Sequence, residues 1–378
     1  MGRIDRDALP ERPNKYKAIF STLREAIGTG KYRPGQRIPS ETQLSRSFGA
    51  SRLTVGRALN ELEAAGFIER RPGSGSYVSK VSKASGRTFG LLIPELGQTD
   101  IFEPICQGMA RASRATQDEL LWGAATRDVE SHEQQALQLC EYYISKDVSG
   151  VFFAPLEYTP GRSQVNTRIV EELQRANIPV VLLDRDVFPY PARSHCDLVG
   201  INNRRAGCVV TEHLIKHGCK RIVFLSWANS APTVDERTMG YGDAIRKAGL
   251  PEIIEISDPE SQDSIGKLVD HHQPDGFVCA NDRTAGQLMV RLNQLGIEIP
   301  SDVKVVGIDD TKYASFLHVP LTTLRQPCHD IGAAAFWTMI ERIEHPNLPA
   351  RDILLNCQLI ERRSCGADLE RGNDWRAK

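Results

Sequence analysis

No Cys-x-x-Cys pair occurs among the nine cysteines, and their spacing is irregular. The odd count argues against a full disulfide set. Cys106, Cys140, Cys208 and Cys279 lie in apolar or helical contexts and read as reduced core residues of a cytoplasmic protein. No run approaches 18 apolar residues, so no segment is expected to span a membrane. The first residues, MGRIDRDALPERPNK, are charged and lack the apolar stretch of a secretory signal. Low-complexity tracts and short-period repeats are missing. So are a Walker-type phosphate loop, a G-x-S-x-G elbow and a His/Cys metal spacing; a pyridoxal-type lysine is not excluded by motif alone, but the pattern of the body argues against that fold. His213 and His217 stand four apart on an expected helix. With no carboxylate motif beside them they read as a solvent-facing pair. Nor is there a large excess of one charge, the formal net charge being −1.

That balance hides an asymmetry. Residues 1–83 carry a net charge of +8 and the remainder −9. A basic head on an acidic body implies that nucleic acid meets the head and leaves the body alone. At 378 residues, two or three domains are expected. The head has a stripe of Tyr16, Ile19, Phe20, Leu23 and Ile27 at helical spacing, ending near Gly28–Gly30. Ser40 with Gln43 three residues later has capping-box spacing. Gly49 then ends a helix and Ser51 caps the next. Val55, Ala58, Leu59 and Leu62 form one buried face, and Gly66 closes it. Phe67–Arg71 and Ser76–Val78 read as two strands joined by Pro72-Gly73-Ser74-Gly75. Two short helices at a fixed angle place the second in a DNA major groove, with a basic hairpin beside them to hold phosphate.

After the Ser/Lys/Gly-rich linker the texture changes. Strand-like runs at Phe89–Pro94, Leu120–Ala125, Gly150–Pro155, Pro179–Asp184 and Leu198–Asn202 alternate with helical segments at 103–117, 131–145 and 165–176. A second series follows at Arg221–Ser226, Ile253–Ile256, Gly276–Asn281 and Val303–Asp309, with helices near 204–217, 235–248, 261–272 and 283–295. Such alternation predicts an α/β body of two doubly wound lobes, each a parallel sheet covered on both faces. Ligands of such lobes bind beyond the carboxyl ends of the strands. Asp184-Arg185, Asn281-Asp282, Asp309-Asp310 and Gln326 stand there. Their mix of donors and acceptors suits a polyhydroxylated ligand. Taken singly, Asp or Asn at a strand end also serves as a cap for the following helix.

The head resembles the winged-helix domain of GntR-type regulators through Pro39-Ser40-Glu41, Ser51-Arg52-Leu53-Thr54-Val55-Gly56-Arg57-Ala58-Leu59 and Arg71-Pro72-Gly73-Ser74-Gly75. The resemblance implies a DNA-binding set of Ser40, Ser51, Arg52, Thr54, Arg57, Arg71, Gly73, Ser74 and Gly75. Gly56 stands where that family usually has Arg. Arg57 points roughly 100° away and does not inherit that contact. The body resembles the LacI-type effector domain, built like periplasmic sugar-binding proteins, through FGLLIPE, GVFFAP, IPVVLLDRD, INNRRAG, CANDRTA, IPSDVKVVGIDD and PLTTLRQP. This implies that Phe102 stacks on a sugar and that Asp184, Arg185, Arg237, Asn281, Asp309 and Gln326 hydrogen-bond it. Thr99 and Ile101 depart from the common pattern, which leaves the sugar open.

The combination of the two resembles arabinose-type repressors. It implies a homodimer on double-stranded operator DNA, a sugar effector, and release of DNA on sugar binding. Co-repression or activation by another small polar ligand (hexose, sugar phosphate or nucleoside) is the alternative. The expected organisation is a winged helix-turn-helix at 1–80, a linker at 81–87, the two-lobed effector and dimerisation domain at 88–365 and a polar tail at 366–378.

Overall fold

The computed structural model describes residues 15–28, 32, 35–64, 67–71, 74–78, 87–94, 100–123, 131–157, 159–228 and 230–367. Gly66, Gly73, Thr99, most of the linker and most of the polar tail lie outside the described residues. The chain separates into two compact units, Met1–Arg87 with Ser113–Glu119, and Thr88–Ala112 with Leu120–Lys378.

In the first unit, local signals place the helices. Helix α1 (Lys15–Gly28) precedes α2 (Glu41–Phe48), α3 (Arg52–Ala64), and the strands β1 (Ile68–Arg71) and β2 (Gly75–Val78). Ser40 Oγ accepts from Gln43 N and the Gln43 side chain accepts from Ser40 N, completing the capping box. Gly49 closes α2 in the left-handed region at φ 54°. Ile19, Leu23, Leu44, Val55, Ala58, Leu59, Leu62, Ile68 and Val78 form one buried core. The two strands pair antiparallel, with Ile68 opposite Val78 and Arg71 opposite Gly75. Arg70 braces this unit: its guanidinium reaches Glu41 Oε1 at 2.5 Å and the Asn60 side chain.

Gly56 is the weak point of α3, since glycine loses the most backbone freedom on entering a helix. A Cβ there would meet nothing within 4 Å. Gly56→Ala is therefore expected to stabilise the head by about 1 kcal/mol, read as a higher denaturation midpoint.

In the second unit, one lobe is built from β3 (Thr88–Leu92), α4 (Phe102–Ser113), β4 (Glu119–Trp122), α5 (His132–Ser145), β5 (Gly150–Phe153), α6 (Arg162–Arg175), β6 (Val180–Leu183) and β7 (Asp197–Ile201). The other follows with α7 (Asn203–Lys216), β8 (Ile222–Ser226), α8 (Pro232–Ala248), β9 (Ile253–Ile256), α9 (Gln262–His272), β10 (Gly276–Cys279), α10 (Asp282–Gln294), β11 (Lys304–Asp309) and β12 (Thr322–Arg325). The chain then returns to the first lobe with α11 (Cys328–Glu344) and β13 (Asp352–Leu355). It crosses once more for β14 (Gln358–Ile360) and a 3-10 turn, Arg363–Cys365. The sheet orders are β13-β7-β6-β5-β3-β4 and β14-β12-β11-β10-β8-β9. Central strands such as β5, β6 and β10 are buried along their whole length, as parallel strands covered on both faces must be.

The doubly wound lobes agree with the sequence reading, apart from their ends. The helix expected over 103–117 stops at Ser113. Gln117 takes φ 59° and Asp118 N bonds back to Ser113 O at 3.3 Å, so the chain turns there. The strand expected over Leu120–Ala125 is seen as Glu119–Trp122, and 124–125 lie outside the described residues. Helix α11 and strands β13 and β14 were not foreseen. Phe336 of α11 packs edge-on against Phe89 of β3, ring centroids 5.8 Å apart. Arg342 of α11 pairs with the fully buried Asp197 carboxylate at 2.9 Å.

Candidate functional sites: a helix in the head and a cleft in the body

In the head, Ser51 caps α3: Thr54 N donates to Ser51 Oγ at 3.1 Å, and the two hydroxyls are 2.8 Å apart. Ser51 and Thr54 thus build the start of the helix, and Arg52 stands exposed on its first turn. Arg57 is exposed with its guanidinium over the Tyr16 ring, 4.4 Å from the centroid. Arg71 lies 4.7 Å over Tyr77 and pairs with Glu69 at 3.1 Å. Ser74 bonds the Tyr77 hydroxyl at 2.7 Å, and Gly75 takes φ 116°. Ser40 is committed to its capping box.

Sequence reasoning missed two neighbours of this set. Leu53 is 88% exposed on α3, next to Arg52. An apolar side chain displayed there suits contact with a thymine methyl group. Arg37 packs its guanidinium against Gly75, where a Cβ would come within 2.8 Å of Nε. The signal for Leu53 was available: it is the one apolar residue of Ser51–Thr54, off the buried stripe.

In the body, a cleft open to solvent is lined by both lobes. The first lobe supplies Asp100, Ile101, Glu157, Asp184 and Arg185. The second supplies Thr233, Val234, Arg237, Asn281, Arg283, Asp309 and Tyr313. Glu157, Asp184, Arg185, Asn281 and Asp309 stand at or just beyond the carboxyl ends of β5, β6, β10 and β11, where the topology directs ligands. Two of the carboxylates stand on strained backbone: Asp184 has φ 70° and Asp309 φ 127°, regions that disfavour any side chain.

The guanidinium groups are held from behind. Arg185 Nε donates to Pro155 O at 2.7 Å, and Nη1 reaches Asp184 at 3.1 Å and Glu157 at 3.2 Å. Arg237 Nε donates to Asn203 Oδ1 at 2.9 Å and Nη1 to Ala280 O at 2.6 Å, while Nη2 lies 3.6 Å from Asp309. Arg237 reaches this point because α7 and α8 cross backbone to backbone. A Cβ at Gly207 would sit 2.0 Å from Arg237 O, and one at Gly240 would sit 1.8 Å from Arg204 O. Asn281 both caps α10, accepting from Thr284 N at 2.9 Å, and lines the cleft.

Asp282 faces away from the cleft wall. It accepts from Thr323 Oγ1 at 2.5 Å and from Thr311 N at 2.8 Å, pinning the turn that carries Asp309. Burial, and then the neighbouring Asp309 charge, push its carboxyl above the usual range. Burial raises Asp309 as well, against the opposing pull of Arg237 and the Gln326 amide. Two buried acceptors, Asp184 Oδ1 and Gln326 Oε1, make no hydrogen bond within the protein. Buried acceptors of that kind seek donors.

Three expectations need correction. Phe102 is 1% exposed and does not line the cleft. It starts α4 with its ring turned into the core, and the Arg185 guanidinium lies over it at 5.7 Å. Its neighbour Ile101 faces the cleft instead. Gln326 is also absent from the wall: it is 4% exposed and donates Nε2 to Asp309 Oδ1 at 2.8 Å, holding that carboxylate. His213 does not face solvent. It follows Ala206 and Val210 on the inward stripe of α7 and is 5% exposed, whereas His217 is half-buried.

A winged helix with an exposed arginine on its second motif helix, joined to two parallel lobes around a polar cleft, defines a two-part regulator of transcription. Residues 15–78 match the family model of bacterial regulatory proteins, gntR family, and residues 211–365 match that of the periplasmic binding protein-like domain. The chain is thus similar to gntR-family regulators over the head and to the periplasmic binding protein-like domain over much of the body. It is 27% identical to the arabinose metabolism transcriptional repressor of Geobacillus stearothermophilus over 365 residues, 93% of this chain and 97% of that protein. It is 29% identical to the ribose operon repressor of Escherichia coli K12, over 73% of this chain and 82% of the relative. The fold is shared with a LacI family transcriptional regulator from Enterococcus faecium solved with bound ribose, at TM-score 0.61 and 21% identity, covering 74% and 98% of the two chains. Among the described residues, no helix is long and apolar enough to cross a membrane.

Proposed function

We propose that the protein is a sugar-responsive repressor that binds operator DNA as a homodimer and releases it when a neutral monosaccharide enters the cleft. The observation that carries this reading is the composition of the cleft wall. Asp100, Glu157, Asp184 and Asp309 supply acceptors, and the inward guanidinium groups of Arg185 and Arg237 are already bound to protein oxygens. A polyol offers hydroxyl donors to such carboxylates. A phosphate would face four negative groups, with Arg283 exposed at the edge. Arabinose is the leading effector, supported by the relatives named as arabinose repressors. Ribose is the second, since other relatives are ribose operon repressors. Sugar bound between the lobes favours one arrangement of them. A difference of about 1–3 kcal/mol between sugar-bound and sugar-free operator affinity, roughly 5–150-fold, suffices for regulation.

A thermal-shift panel of pentoses, hexoses and their phosphate esters tests this reading. A neutral pentose is expected to raise the melting temperature, because a ligand that binds only the folded state stabilises it. Its phosphate ester is expected to raise it less. Stabilisation by phosphate esters alone would overturn the neutral-sugar reading. Operator binding is expected to weaken steeply with salt, as phosphate contacts by Lys and Arg displace counterions.

A further inference from the structure

We infer that His213, His217 and Cys365 form a binding site for a thiophilic divalent transition metal of the Zn²⁺ class. One ligand atom from each residue lies within 4.8 Å of the other two. The histidines are four apart, hence on one side of the helix end, with ring centroids 4.5 Å apart. His217 closes α7, its N–H donating to His213 O at 3.1 Å. Cys365 arrives from the last turn of the described chain and is fully buried. That turn is fixed independently: Ser364 Oγ donates to Val305 O at 2.6 Å and accepts from Thr322 N at 2.8 Å. Two well-anchored elements, 148 residues apart in the chain for His217 and Cys365, therefore present two imidazoles and one thiol to one point.

The donor set is right for such an ion. Imidazole nitrogen and thiolate sulfur bind zinc at about 2.0–2.3 Å, and three protein ligands leave a fourth tetrahedral position for water. Donors up to 4.8 Å apart need a small inward rotation to reach those bond lengths. The thiol now donates to Arg362 O at 3.3 Å and would exchange that weak bond for the metal. His217, half-buried, gives access from solvent. The cluster precedes Ile222, where β8 begins, so it lies at the opposite end of that sheet from the effector cleft. A metal there would clasp the Arg363–Cys365 turn onto α7 independently of the sugar.

The test uses the full chain, stripped with a chelator and titrated with Co²⁺ and Zn²⁺. One equivalent of Co²⁺ is expected to give a thiolate-to-cobalt charge-transfer band. That band should vanish in Cys365→Ser and persist in Cys208→Ser. Zn²⁺ affinity should fall by roughly tenfold or more in His217→Gln, a half-buried position. Zn²⁺ should raise the melting temperature of the parent protein and raise that of His217→Gln less at the same concentration. Absence of a saturable one-to-one complex, or binding that survives both Cys365→Ser and His217→Gln, would overturn the assignment.

Discussion

Asp309→Ala is expected to abolish the effector's action on operator binding while leaving operator affinity without sugar within a few-fold. Asp309 lines the cleft at the end of β11 and is held in register by Gln326 on one side and Arg237 on the other. Its carboxylate offers acceptors to ligand hydroxyls, and each hydrogen bond to a charged group contributes about 1.5–3 kcal/mol. Loss of one or two such bonds weakens sugar binding by roughly 10-fold or more. The described residues of this wall all belong to the body, so the unliganded grip on DNA should be nearly unchanged. Titration calorimetry with the sugar and gel-shift assays with the operator separate the two effects. Sugar-induced release that persists unaltered in the variant would place the ligand elsewhere. The same carboxylate predicts a pH dependence. Burial raises its pKa, so the accepting, ionised form is lost earlier than for an exposed Asp as pH falls. Sugar affinity is expected to decline in the mildly acidic range and to be flat above it.

Arg52→Ala should weaken operator binding by roughly 1–3 kcal/mol, about 5–150-fold, with or without sugar. Arg52 is exposed on the first turn of α3, ahead of the buried stripe Val55, Ala58, Leu59 and Leu62, so its removal costs the core nothing. The Ser51–Thr54 cap remains, and the helix should stay formed. Fluorescence anisotropy on the operator and on a scrambled duplex distinguishes two roles. A base contact loses discrimination between the duplexes; a phosphate contact loses affinity for both alike and lowers the salt dependence. Unchanged binding to every duplex would mean that α3 is not the reading helix.

Much of the fold was legible because its signals are local. Ser40 with Gln43, Gly49 and Ser51 mark helix ends by hydrogen bonds that span three or four residues. The alternation of apolar runs with helical stripes foretold the parallel lobes, since a strand covered on both faces must be apolar throughout. The candidate cleft was legible to the extent that topology places ligands at strand ends. Asp184, Arg185, Arg237, Asn281 and Asp309 do converge there. Phe102 lies off the wall because one residue along the start of α4 exchanges wall for core, and Gln326 because its amide is turned to Asp309. Ile101 faces the cleft and Phe102 the interior. Gly56 illustrates the opposite case: its open surroundings only confirm what a helix-interior glycine already implied.

The amino-acid order by itself determined the two-part organisation of this protein: a positively charged head with a capped second motif helix, and two lobes whose polar residues end the strands. These follow from propensities, caps and periodicities that act within a few residues. Only the tertiary structure decided that β13 and β14 join opposite sheets, that Arg237 meets Asp309, and that His213 turns inward toward Cys365. Such pairings join residues 33 or more positions apart. Their contact depends on helix crossings such as that of Gly207 and Gly240, and on a shared core, which no local pattern encodes.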